Sequence, residues 1–111
     1  MTHREALPNR RKCETLSFHV GNLTYQGTIG YYADGRPGEI FLDSSKSGTD
    51  VQIASRDSAI AASFALQYGA SVEAIRSAFT RNAEGAPEGP LGVLLDLLVK
   101  PHLVEPSRGR G

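Results

Sequence analysis

Apolar and polar residues alternate along the first part of the chain, and apolar residues recur at helical spacing along the rest. From Thr15 to Val20, Leu16, Phe18 and Val20 fall on one side and Ser17 and His19 on the other, the period of a half-buried strand. Gly21-Asn22 supplies a two-residue hairpin turn. A second strand is predicted over Leu23 to Tyr32, with Leu23, Tyr25, Ile29 and Tyr31 on one face and Gly27 and Gly30 leaving room for a close neighbour. Asp34-Gly35 then favours a turn, and Pro37 pushes Arg36 toward an extended conformation. Glu39 to Asp43 returns as a third strand. Together these predict an antiparallel meander, with Ile40 and Leu42 on one face and Phe41 beside Tyr32 on the other, an aromatic pair to be covered by the N-terminal arm or by another subunit.

Asp43 to Asp50 is a polar loop rich in small residues, leading directly into a helix. Thr49 and Gln52 have capping-box spacing, so the helix is predicted from Asp50 to Tyr68, closed by Gly69. Ile53, Ile60 and Phe64 recur at seven and four, while Ala59, Ala61, Ala62, Ala65 and Leu66 fill the remaining faces of its second half. That half is therefore expected to be buried nearly all round, with the other elements packed about it. Ser71 caps a second helix whose stripe is Val72, Ile75 and Phe79, with Glu73 in its first turn. A turn-rich break over 82–89 precedes Pro90, after which Leu91, Leu94, Leu95 and Leu98 mark a third helix ending before Pro101. The expectation is one α+β domain over residues 13–100: a three-stranded antiparallel meander followed by two to three helices packed on one face. An extended basic arm (1–12) precedes it, and a disordered tail (101–111) follows.

Composition narrows the function classes. At 111 residues one core is expected, and twelve basic against twelve acidic side chains leave no net positive field for tracking nucleic acid. Positive charge is local to Arg4, Arg10, Arg11 and Lys12 in the arm. Cys13 is the single cysteine, so neither an internal disulfide nor a CxxC metal or redox pair exists, as in a protein of a reducing cytoplasm. No run approaches the ~20 apolar residues of a membrane span.

Candidate chemistry is sparse. Lys46-Ser47-Gly48-Thr49 at a helix start combines a cation, two hydroxyls and backbone amides, the recipe for holding a phosphate or other anion; the plain alternative is an ordinary capped loop. Walker spacing is absent. Arg56 and Asp57 either extend that site or form surface pairs. His3, His19 and His102 are too scattered for zinc, and Cys13 has no nearby base to make it a nucleophile. Glu73, Glu84, Glu88 and Asp96 are spread over helix surfaces and loops without an implied apolar pocket for paired acid–base work.

Four segments in order carry a family resemblance: Leu7-Pro8-Asn9-Arg10-Arg11, Gly35-Arg36-Pro37-Gly38-Glu39-Ile40-Phe41, Lys46-x-Gly48-Thr49, and Ser63-x-Ala65-Leu66-Gln67-Tyr68-Gly69. Over about residues 5–80 the chain resembles the C-terminal region of adenosylcobalamin-dependent (class II) ribonucleotide reductases, in the part that includes the TSCPD domain. The Thr-Ser-Cys-Pro-Asp sequence itself is missing, as are the barrel and the several cysteines that radical chemistry requires. The resemblance thus implies a free-standing accessory domain of deoxyribonucleotide synthesis, not catalytic alone. No cofactor is expected on this chain, adenosylcobalamin belonging to the full-length reductase. Its implied partners are a reductase subunit or a nucleotide phosphate, with Arg36, Lys46, Ser47, Gly48 and Thr49 as phosphate contacts. The alternative is a self-associating structural module, a homodimer whose Tyr31, Tyr32 and Phe41 cover a partner's sheet.

Overall fold

The computed structural model describes residues 3–45 and 48–99. Three strands form one antiparallel sheet in chain order: β1 (Cys13–Val20), β2 (Leu23–Tyr31) and β3 (Pro37–Ser44). Gly21 turns the first hairpin with φ +60° and Gly35 the second with φ +94°, where an L side chain would be strained. The register pairs Phe18 with Tyr25, Leu16 with Gly27, Gly27 with Leu42 and Ile29 with Ile40. One face therefore gathers the apolar residues that the alternation predicts, and Phe18, Tyr25, Ile29, Ile40 and Leu42 are all buried. Strand β3 begins at Pro37, two residues before the predicted start, and a register shift at Gly30/Tyr31 accommodates the extra length.

Helices α1 (Asp50–Gln67), α2 (Val72–Ala78) and α3 (Pro90–Val99) follow. The most enclosed helix is α3: Leu94 and Leu95 are fully buried. Gly27 makes that possible, because a Cβ built there would lie 2.6 Å from Leu94 Cδ2. This is the close approach that the glycine in the strand foretold.

Helix α1 departs from expectation. Its buried residues are Ser55, Ala59, Ala62, Leu66 and Gln67, whereas Ile53 is 56% exposed, Ile60 53% and Phe64 44%. The second half is not enclosed, and the helix is not the centre of the core. The reason is position: α1 runs antiparallel to β3 against its outer edge and the adjoining core. Arg56 reaches Asp43, Ser63 reaches Ile40 and Gln67 reaches Gly38. An element lying along a sheet edge meets protein on one side and solvent on the other. Its small residues face inward because they allow close approach, and the large ones are left outside.

The same placement closes the sheet. Ile40 N–H, which points away from β2, donates to Ser63 Oγ at 2.8 Å, and one turn on Gln67 Nε2 donates to Gly38 O at 2.8 Å. Two helix side chains thus satisfy edge groups that would otherwise invite another strand.

The 1–12 arm, from residue 3 on, has no regular secondary structure and lies against the domain. Glu5 N–H donates to Gln67 O at 2.8 Å, and Leu7 lies close to Gly38. The predicted stop at Pro101 and the 101–111 tail fall outside the described residues.

Candidate functional site

The α1 entry forms as the sequence requires. Thr49 is extended, and its Oγ1 accepts from Gln52 N–H at 3.2 Å. Gln52 reaches back one residue further than the standard box, its Oε1 accepting from Gly48 N–H at 2.7 Å. Two of the groups assigned to anion binding are thereby engaged within the loop itself. Lys46 and Ser47 lie outside the described residues.

Arg36 is not part of that loop. It sits at the start of β3, while Ser45 follows the strand's other end; eight residues at about 3.3 Å each put them roughly 25 Å apart. Arg36 is therefore set apart from Gly48 and Thr49. Arg36 instead donates to Asp34 at 2.8 Å and to Glu5 at 2.9 Å, with its guanidinium 4.6 Å from the centre of the Tyr32 ring. Asp34, accepting from the backbone and the side chain of Arg36, has its carboxyl held below the usual range, and Arg36 is raised by its bonds to Glu5 and Asp34.

The three aromatic residues assigned to a partner interface occupy three different settings. Tyr32 is buried beneath the arm, its hydroxyl donating to Glu5 O at 2.7 Å, so the chain's own arm already covers it. Tyr31 is half-buried and donates to Glu14 Oε1 at 2.6 Å; burial first and this bond second push its hydroxyl well above the normal tyrosine range. Phe41 alone is open, 55% exposed on the sheet face away from the core.

Between the arm and the end of β2 runs a cleft of about 590 Å³, lined by Arg10, Lys12, Cys13, Tyr31 and Tyr32 among others. Cys13 is exposed there, and Arg11 is drawn off to Glu39 at 2.6 Å. Among the described residues no group of three or more His, Cys, Asp or Glu could hold a metal ion.

Two clusters escaped the sequence. Arg4 donates to Gln67 Oε1 at 2.5 Å and lies 4.4 Å from the centre of the Phe64 ring, which ties the arm to α1. Asp96 on α3 accepts from Arg81 and Arg76, both at 2.8 Å, joining α2, the following loop and α3. Arg81 first and Arg76 next hold its carboxyl below the normal range. Arg56 pairs with Asp43 at 2.9 Å rather than with its neighbour Asp57. No local spacing could have exposed these contacts, since each joins segments well separated in sequence.

The described residues form a small α+β domain. The chain is 40% identical over 91 residues to a vitamin B12-dependent ribonucleotide reductase of Bradyrhizobium diazoefficiens, a match covering 82% of this chain and 7% of the relative. It is 43% identical over 77 residues to that of Agrobacterium fabrum (69% and 6%), and 35% identical over 77 residues to that of Rhodopirellula baltica (69% and 7%). The chain is thus related to a part of these reductases and spans well under a sixth of their length. No family model matches it. No solved structure matches it either.

Proposed function

We propose that this chain is a reductase-related accessory domain that docks on a subunit of a vitamin B12-dependent ribonucleotide reductase and serves deoxyribonucleotide synthesis without turnover of its own. What supports this reading is the reach of the sequence match. It takes in 82% of this chain, and so most of one folded unit, while touching only 7% of the relative. A single cysteine, Cys13, is too little for a mechanism that consumes several thiols. Phe41 is the contact on the open sheet face best suited to such a partner.

Nucleotide phosphate at Lys46, Ser47, Gly48 and Thr49 is a companion reading, favoured by the loop's place at the start of an 18-residue helix. Gly48 N–H would have to leave Gln52 to serve a phosphate, so subunit docking is the stronger of the two. The test is to mix the purified chain with purified vitamin B12-dependent reductase from the same organism and follow co-elution and deoxyribonucleotide formation. Co-elution, with no product from the chain alone, is expected. Separate elution, or product from the chain unaided, would overturn the reading.

A further inference from the structure

Of the large apolar side chains left exposed, Ile53, Ile60, Phe64 and the C-cap residue Tyr68 lie along one face of α1, opposite the buried Ser55, Ala59, Ala62 and Leu66. Soluble proteins scatter such residues; four on one face, interrupted by Asp57, mark a contact surface. We propose that a second copy of this chain occupies it, the two α1 helices packing antiparallel about a twofold axis between Ile60 and Ala61. The proposal is independent of reductase docking.

Charge selects the second copy and its direction. Asp57 lies within the apolar row and forms no ion pair with another described residue, its neighbour Arg56 being taken by Asp43. Arg4 stands 4.4 Å from the Phe64 ring centre and, among the described residues, has the Gln67 amide oxygen as its one hydrogen-bond acceptor. An antiparallel pairing about the stated axis sets Ile53 against Tyr68 of the other copy, and Asp57 against Phe64 of the other copy, where that copy's Arg4 waits. Symmetry makes this contact twice. A parallel pairing would instead set Asp57 beside Asp57, which is repulsive.

Area agrees. The four side chains are 44 to 56% exposed, so each offers on the order of 100 Å², roughly 400 Å² per copy. With Arg4, Asp57 and Ala61 alongside, two copies approach the ~1,000 Å² that marks the lower bound of a specific interface, as for a weak dimer.

Sedimentation equilibrium of the full chain, from micromolar to near-millimolar concentration, tests the proposal. A concentration-dependent dimer is expected, with Ile60→Asp monomeric and its far-UV circular dichroism unchanged because the site is exposed. Asp57→Arg and Arg4→Glu should each raise the dissociation constant about tenfold, from two ion pairs per dimer. The double swap should return it to within about threefold of the starting value. A monomer throughout, a dimer indifferent to Ile60→Asp, or swaps that add rather than cancel would each overturn the proposal. A monomeric chain that still binds the reductase would overturn it while leaving the docking reading intact, and a dimer that does not bind the reductase would do the reverse.

Discussion

Removing the Ser63 hydroxyl tests whether α1 closes the sheet. Ser63 Oγ accepts from Ile40 N–H at 2.8 Å and has Ala59 O at 2.8 Å and Ile40 O at 3.2 Å as acceptors for its own proton. Ile40 is 1% exposed, so no water replaces the lost acceptor when Ser63 becomes Ala. A buried amide left without a partner costs about 1–3 kcal/mol, against which alanine's better helix propensity returns ~0.5 kcal/mol. A net loss of about 1.5 kcal/mol lowers Tm by roughly 6 °C in a domain of this size. Ser58→Ala is the control, since Ser58 Oγ merely donates to Ser55 O within the same helix at 2.9 Å; its effect should stay within about 0.5 kcal/mol. Urea unfolding read by circular dichroism gives both values, and amide exchange at Ile40 should speed up in Ser63→Ala alone. Equal stability of the two variants, or an Ile40 amide exchanging at its original rate, would refute the edge-closing role.

Asp96 has a folded-state pKa depressed by Arg81 and Arg76, so its stabilising contribution is present above the unfolded carboxyl's ~3.9 and is lost as pH falls through the lower folded value. Asp96→Asn should therefore lower stability at neutral pH and flatten the acid limb of a Tm-against-pH curve. Tyr31 shifts the other way: its raised pKa means stability is intact below about pH 10 and declines above it, as the unfolded phenol ionises first. Tyr31→Phe should remove its share of that alkaline loss in the same thermal scans. At Gly27, a Val side chain would meet Leu94, and even a Cβ there falls 2.6 Å from its Cδ2, so Gly27→Val should cost about 1–3 kcal/mol by urea unfolding.

Local features of the fold were legible because short-range physics sets them. The alternation of Leu16, Phe18 and Val20 named the buried face of β1, Gly21 and Gly35 named the turns, and Thr49 and Ser71 named two helix starts. Periodicity could group Ile53, Ile60 and Phe64 on one side of α1 but could not say which side meets the core. That depends on the helix lying along β3, a long-range arrangement made through Ser63 and Gln67. The candidate site suffered in the same way. Arg36 and Ser45, where the polar loop begins, are near in sequence, yet the extended strand between them carries them apart. Alternation sets Tyr32 beside Phe41 on the second sheet face but does not choose between the arm and another subunit as its cover; the Glu5 carbonyl and Leu7 of the arm lie over Tyr32.

Calorimetric titration of purified vitamin B12-dependent reductase with this chain, repeated at several temperatures, tests docking most directly. Saturable binding with a negative heat-capacity change, weakened by Phe41→Asp, is the predicted result, since burial of apolar surface produces that sign. No heat of binding at any temperature, up to chain concentrations of about 100 μM, would contradict it.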